Sequence, residues 1–222
     1  MVDKPGTGKR LLLVLGGAHH DFEGFEARVV PLLQSHEYAV VTTYDHTCFT
    51  GLESGGYDTV LMYTSLGNAF DGTRCGHDLA PEQAKALRRW VRGGKGLLGV
   101  HSATVCRENN RDHWELLGGR FEKHPEPFAF EVYPLHSRDE FTRGIKPFRV
   151  YDEFYVQHCT DDVRVCLAAL HEDEIHPMGW RRTEGQGKIA CLAPGHYPDV
   201  WNNKTYQTIL LRMLAWCSVR GE

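Results

Sequence analysis

The sequence predicts an α/β protein whose sheet is mostly parallel and is covered by helices on both faces. Short apolar runs that end at glycine alternate with segments of helical periodicity, which is the pattern of a doubly wound sheet. Polar residues, several of them histidines, follow the ends of these runs. The composition is that of an ordinary globular protein, with 41% hydrophobic and 24% charged residues. We therefore expect one domain over residues 1–222, with residues 1–9 flexible.

Each predicted element rests on local periodicity. The helix over 81–92 has the clearest limits, because Pro81 suits a first turn and Gly93 and Gly94 stop the helix. Between about 125 and 165 the pattern changes to alternating, exposed strands. Strands are predicted at 10–15, 38–43, 57–63, 96–100, 128–134, 148–156, 164–170 and 188–193, and helices at 25–35, 81–92, 114–117 and 205–217.

Charge, hydropathy and cysteine usage exclude several classes of partner. The formal net charge is −4 and no block of Lys and Arg occurs, so we expect no nucleic-acid partner. No apolar run approaches the ~20 residues that cross a bilayer, and the N-terminus lacks the features of a signal peptide. The seven cysteines form no CxxC pair, which favours reduced thiols. We expect a cytoplasmic protein without membrane contact.

Polar side chains follow four of the predicted parallel strands. Ligands of open α/β sheets bind where the carboxyl ends of the strands meet, so residues from distant parts of the chain are expected to gather there. In chain order the candidates are His19, His20, Asp21, Ser65, Asn68, His101, Ser102, His196 and Tyr197.

The segment GVHSA, residues 99–103, places His101 where many α/β enzymes carry a nucleophile on a sharp turn. Imidazole is a good acid, base or metal ligand near neutral pH, which favours those roles. A nucleophilic Ser102 would need a base within hydrogen-bond reach. A serine or cysteine hydrolase, with Ser102 or Cys106 as its nucleophile, is kept as an alternative to the functions considered below.

Two further segments carry candidate side chains. If the segment DEFY is a strand, Glu153 and Tyr155 point to one face for acid–base work and Asp152 to the other. In HEDEIHPMGW the two histidines, His171 and His176, are five residues apart, so they do not form the metalloprotease helix motif. Pro177 favours a loop there.

Imidazole and aromatic side chains could also serve metal and sugar binding. His20, His101, His176 and His196 are candidate ligands for a divalent metal such as zinc. Trp180 and Tyr197 suit stacking on a sugar ring, whereas core packing is the better expectation for Trp201.

Four motifs in order carry a resemblance to a known family. GKGLLGVHSAT with WELLGGRFEKHP, then YDEFY, IHPMGW and GKIACLAPGHYPDVW, resemble the ThuA-like (trehalose utilisation) family from about Leu11 to Trp216. The resemblance implies a flavodoxin-like fold of the class I glutamine amidotransferase-like superfamily. In the amidotransferases the turn carries a catalytic cysteine. The matching residue here is His101, which implies that amidotransferase chemistry has been lost.

The resemblance implies a role in carbohydrate catabolism, in a family often found beside oxidoreductases that make 3-keto sugars. We expect a hydrolase, lyase or isomerase acting on a disaccharide or keto-glycoside, with a small-molecule sugar as its partner. The alternative is a non-catalytic sugar-binding or regulatory protein. A homodimer is compatible with this size. The expected catalytic residues are His101, Glu153, Tyr155 and His196, and the expected substrate-binding residues are His20, Ser102, His176, Trp180 and Tyr197.

Overall fold

A computed structural model describes residues 9–66 and 78–219. Strands alternate with helices along the first half of the chain. The strands are β1 Lys9–Gly17, β2 Tyr38–Thr43, β3 Thr59–Ser65, β4 Gly96–Val100, β5 Gly119–Lys123, β6 Phe128–Pro134, β7 Phe148–Asp152, β8 Val156–Cys159, β9 Arg164–His171, β10 Glu174–Glu184 and β11 Gly187–Leu192. The α-helices are α1 Phe22–Gln34, α2 Leu52–Gly55, α3 Pro81–Arg92, α4 Arg111–Leu117, α5 Pro198–Asn202 and α6 Lys204–Cys217, and 3₁₀ helices span His46–Gly51 and His101–Thr104.

The parallel part of the sheet has the strand order β2-β1-β3-β4-β11. This is the 2-1-3-4-5 order of flavodoxin-like proteins, with β11 in the fifth place. Every residue of β3 and β4 is buried, which explains why both read as continuous apolar runs rather than alternating ones. The predicted α/β class is confirmed.

An antiparallel extension continues the sheet beyond β11. It adds β10, β9, β6 and β7 in that order, while β5 and β8 form a separate two-stranded sheet. β6 alternates buried and exposed residues, as expected for a strand with one face in water. This extension brings chain segments to the site that the parallel strands alone would not supply.

The single strand predicted at 148–156 is wrong. β7 ends at Asp152 and pairs with β6, whereas β8 begins at Val156 and pairs with β5 in the other sheet. The three residues between them belong to neither strand, because the chain must leave one sheet and enter another. The alternation of side chains between the two faces therefore stops at Asp152. Glu153 need not point away from Asp152, and both side chains can face the same part of the molecule.

The loop predicted around Pro177 is also wrong, because β10 runs through it. The pairing of β10 with β9 shifts register between Pro177 and Gly179 and again before Trp180. Proline has no N–H to donate, so within a sheet it is tolerated at such an irregularity. The irregular pairing at this point, a β-bulge, therefore allows Pro177 to lie within a strand.

The other elements lie close to their predicted limits. α1 begins three residues earlier than predicted, because Asp21 caps it by accepting a 2.8 Å hydrogen bond from the Gly24 N–H. Asn203 caps α6 in the same way. No helix in the described part of the chain is long and apolar enough to span a bilayer. Of the segment expected to be flexible, residues 1–8 lie outside the described residues and Lys9 starts β1; Asn68 also lies outside them.

The end of β1 lies very close to the end of β3. Gly17 has φ +123°, and a Cβ there would lie 2.1 Å from the Ser65 carbonyl oxygen. We expect Gly17→Ala to lower the free energy of unfolding by about 1–3 kcal/mol from backbone strain alone, and further through the steric overlap. Gly144→Ala is the matched control, because Gly144 also has positive φ but open space around it. Urea unfolding of both variants checks this, and equal losses would contradict the close-approach argument.

Candidate active site

Four side chains from distant parts of the chain meet at the carboxyl edge of the parallel strands. His20 follows β1, His101 follows β4, His196 follows β11, and Glu153 lies between β7 and β8. One nitrogen of each histidine and one carboxylate oxygen all lie within 4.8 Å of one another. The strand-end argument therefore holds for the three histidines. We call these four residues the His/Glu cluster.

His101 is held rigidly at the turn after β4. Its φ of +48° is uncommon for a residue other than glycine, and it matches the sharp turn predicted at this position. Its Nδ1–H donates a 2.7 Å hydrogen bond to the Ala193 carbonyl, which leaves Nε2 as the ring nitrogen that faces the site. Nε2 is buried and lies 3.4 Å from an oxygen of Glu153. The Tyr155 ring stacks on this imidazole at 4.0 Å.

His20, rather than His19, belongs to the cluster. Its Nδ1–H donates to the Ala18 carbonyl at 2.8 Å, which leaves the Nε2 lone pair directed into the site. Burial, reinforced by the nearby His101, lowers the pKa of His20 to about 3. The ring is therefore neutral at physiological pH. His19 lies at the mouth, where it is exposed and lines the cavity.

Asp152 fixes the position of His196. Its carboxylate is fully buried and accepts hydrogen bonds from the backbone N–H groups of Gly195, at 2.6 Å, and His196, at 3.0 Å. His196 Nδ1 then lies 3.1 Å from Glu153. Sequence reasoning gave Asp152 no role because it assumed that one strand ran through DEFY. The only signal was its position next to Glu153.

Glu153 lies between the buried histidines of the cluster and the opening of the site. One carboxylate oxygen faces His101 and His196, and the other lies 3.7 Å from Nε2 of His124. Burial alone would raise the pKa of Glu153, but interactions with His101 and His196 outweigh it and hold this pKa well below its usual range. The carboxylate is therefore ionised, with imidazole nitrogens on both sides.

A cavity of about 430 Å³ opens above the cluster. Phe121 and Tyr155 give it apolar walls, while Lys123 and His124 add polar groups. The residues that line it are His19, His20, Ser65, Val105, Phe121, Lys123, His124, Glu153 and Tyr155. Sequence reasoning missed Phe121, Lys123 and His124, because β5 pairs only with β8 and no local pattern places it beside the parallel strands.

Three predicted substrate-binding residues lie elsewhere. His176 is in β10, where its ring contacts Phe154 and His171 rather than the cluster. Trp180 is fully buried and donates from Nε1 to the Leu117 carbonyl, so it is a core residue. Ser102 is fully buried and does not line the cavity. The contacts of these three side chains depend on tertiary packing, which sequence spacing did not resolve.

Tyr197 lies at the edge of the site, partly exposed, with its ring edge-on to His196 at 4.5 Å. Tyr155 is buried between the cluster and the cavity, and its hydroxyl lies 3.5 Å from His20 Nε2. Trp201 is buried in the core, as expected. Tyr155 therefore lines the cavity above the cluster, whereas Tyr197 packs beside His196 and is not among the residues that line that cavity.

The geometry does not fit a serine or cysteine hydrolase. The Ser102 hydroxyl is buried and makes no hydrogen bond within the described part of the chain, so no base activates it. Burial, with a contribution from Asp78, raises the pKa of the Cys106 thiol far above its usual range. Neither side chain has the properties of an activated nucleophile.

Comparisons with known proteins agree with this fold. The family model ThuA, described as trehalose utilisation, matches residues 10–217. A ThuA-like protein from Bacteroides uniformis is 16% identical, with a TM-score of 0.72, covering 98% of this chain and 95% of that one. A ThuA-like protein from Parabacteroides merdae is 14% identical, with a TM-score of 0.77, covering 96% and 91%.

A solved glutamine amidotransferase structure also shares the fold of this chain. A glutamine amidotransferase from Thermotoga maritima is 9% identical, with a TM-score of 0.60, covering 95% of this chain and 98% of that one. At such identities the likeness concerns the fold alone. No curated protein matches the sequence.

Proposed function

The chain belongs to the ThuA (trehalose utilisation) family, and on that premise we propose that it is an enzyme of carbohydrate catabolism. Its substrate is a disaccharide or keto-glycoside bound in the cavity above the His/Glu cluster. The reaction is a hydrolysis, elimination or isomerisation that depends on imidazole and carboxylate groups. The observation that carries this proposal is the convergence of three imidazoles and one ionised carboxylate beneath an open cavity.

The chemistry of the cluster suits sugar substrates. Cleavage or isomerisation of a keto sugar needs proton transfer at carbon and oxygen, and imidazole and carboxylate groups perform such transfers near neutral pH. The ionised Glu153 can accept a proton, and Tyr155 can donate a hydrogen bond to a substrate oxygen. Amidotransferase chemistry is not part of the proposal, because His101 stands where that reaction needs a cysteine.

The cavity has the form that a sugar requires. Its volume of about 430 Å³ lies within the roughly 300–1,000 Å³ range of small-molecule sites. Phe121 and Tyr155 offer apolar ring surface, against which the C–H faces of a sugar can pack. Lys123 and His124 can contact its hydroxyl groups. We place the protein in the cytoplasm, since all six cysteines within the described ranges are free.

Product formation tests the proposal. The purified protein is incubated with trehalose, with its keto derivative and with other disaccharides and keto-glycosides, and products are identified by mass spectrometry. We expect one of these compounds to give product at a rate proportional to enzyme concentration. Saturable binding by calorimetry without product would favour the sugar-binding alternative, and neither binding nor product would reject the sugar assignment.

The variant Glu153→Gln sharpens this test. It is nearly isosteric but cannot take up a proton as a carboxylate does, so we expect turnover to fall by roughly 10²–10⁴-fold. His176→Ala is the control, because His176 is a histidine outside the cluster. Equal turnover in the two variants would contradict a catalytic role for Glu153.

A further inference from the structure

We propose that the His/Glu cluster binds one divalent transition-metal ion, such as zinc, through His20 Nε2, His101 Nε2, His196 Nδ1 and a Glu153 oxygen. The ion would lie at the floor of the cavity. Binding of the ion follows from the geometry of the cluster, whereas its use in catalysis rests on the proposed function.

The hydrogen bonds of the cluster leave acceptor atoms facing one another. His20 and His101 each donate Nδ1–H to a backbone carbonyl, so in the neutral rings, the form that binds metal, both Nε2 atoms carry lone pairs. These lone pairs and the Glu153 carboxylate point into a shared space. Such an arrangement is unfavourable without a cation between the acceptors, and imidazole nitrogen with carboxylate oxygen is a donor set that suits zinc and similar ions.

The spacing of the donor atoms is close to that of a coordination sphere. Metal–ligand bonds of ~2.0–2.2 Å in a tetrahedron place neighbouring donor atoms roughly 3.3–3.6 Å apart. The Glu153 oxygen lies 3.4 Å from His101 Nε2 and 3.1 Å from His196 Nδ1. All four donors lie within 4.8 Å of one another, so His20 needs only a small movement to complete the set.

Neighbouring groups orient these donors before any ion binds. Metal-binding histidines usually donate their second ring N–H to a carbonyl or carboxylate, and the carbonyls of Ala18 and Ala193 supply this for His20 and His101. Buried Asp152 fixes the backbone of His196. The Tyr155 hydroxyl, 3.5 Å from His20 Nε2, makes at most a weak hydrogen bond and does not occupy its lone pair.

Two of the four donor atoms are buried and incompletely satisfied. His101 Nε2 and His196 Nδ1 face the Glu153 carboxylate at 3.4 Å and 3.1 Å, but neither makes a hydrogen bond of good geometry within the described residues. A buried polar atom without a good hydrogen-bond partner destabilises the fold. A bound cation removes that penalty at both atoms simultaneously.

The ion would change the roles within the proposed reaction. If a divalent ion is bound by these residues, it would supply a Lewis acid next to a carbonyl or hydroxyl oxygen of the bound sugar. Because the three imidazoles would then be ligands, proton transfer falls to groups outside the ligand set. Tyr155 and His124 lie outside that set and line the cavity beside Glu153.

Metal content tests the site without any activity assay. The protein is dialysed against a chelator, reconstituted separately with Zn²⁺ and Co²⁺, freed of excess ion and measured by elemental analysis. We expect about one ion per chain and, with Co²⁺, visible absorption typical of a site with nitrogen and oxygen donors. Binding of less than about a tenth of an ion per chain would overturn the inference.

Variants assign the ligands. His101→Ala, His196→Ala and Glu153→Gln should each weaken metal binding by at least tenfold, whereas His176→Ala should bind as the wild type does. Circular dichroism confirms that each variant is folded, and Glu153→Gln keeps the side-chain volume should an alanine variant fail to fold. Unchanged binding in all three ligand variants would place the ion elsewhere and overturn the inference.

The tests of the metal site and of the proposed function can fail independently of each other. Stoichiometric metal binding without turnover of any sugar would leave the metal site standing and reject the enzyme. Full turnover by protein shown to be metal-free would leave the enzyme standing and reject a role for the ion in its reaction, while the binding measurement alone decides whether the site exists.

Discussion

Replacing His101 with alanine is expected to lower turnover by roughly 10²–10⁴-fold or more. The protein should stay folded. The imidazole is at the centre of the site: it faces Glu153, stacks on Tyr155 and is fixed by the Ala193 carbonyl. Steady-state kinetics on an identified substrate, beside a thermal unfolding curve, measures both parts of this prediction. Normal turnover would reject the assignment of the site.

The backbone at His101 calls for a second variant. With φ at +48°, alanine would be strained by about 1–2 kcal/mol, whereas asparagine tolerates this region better. His101→Asn should therefore keep more of the stability but lose as much of the activity. His176→Ala is the histidine control, and it should retain full activity. If His101→Asn and His101→Ala lost activity only in proportion to stability, the effect would be structural.

Asp152→Asn is expected to lose much of both stability and activity, although it changes one oxygen to an amide. The carboxylate accepts from two backbone N–H groups, at Gly195 and His196, and its full burial keeps bulk solvent from replacing it. The asparagine NH₂ would face one of these donors and leave it unpaired, which destabilises by about 1–3 kcal/mol. His196 would then move relative to Glu153, and we expect kcat to fall by about 10–100-fold.

A variant at Asp139 separates the effect of Asp152 on the position of His196 from its effect on the stability of the fold. Asp139 is also buried, and it pairs with Arg181 at 2.9 Å and lies outside the cluster. Asp139→Asn should lower the unfolding free energy by a comparable amount without changing kcat at a temperature where both variants are folded. A similar fall of kcat in both would show that Asp152 acts only through global stability.

The strand-end argument predicted the parallel half of the site from the sequence. β1, β4 and β11 are recognisable as apolar runs that end at glycine or a small-residue turn, and histidine follows each of them. In a parallel sheet these ends necessarily lie along one edge. His101 and His196 could therefore be assigned without coordinates, and His20 to within one residue.

The other half of the site was not predictable in this way. The separate two-stranded sheet pairs β5 with β8, which are far apart in sequence, and local periodicity does not select the partner. His124, Phe121 and Lys123 reach the cavity only because that pairing forms. The antiparallel extension makes β10 a strand despite Pro177, and in that strand His176 contacts Phe154 and His171 rather than the cluster.

The fold class, the edge of the sheet where the histidines gather and the candidacy of Glu153 followed from the sequence, because apolar periodicity, strand ends and motif resemblance are properties of local segments. The three-dimensional arrangement was needed to show that the Glu153 carboxylate meets the three imidazoles, that Asp152 anchors His196, and that His176 and Trp180 lie outside the cluster. The physical reason is that a change of sheet after Asp152 and a bulge at Pro177 depend on pairing between distant segments, and such pairing sets the direction of each side chain.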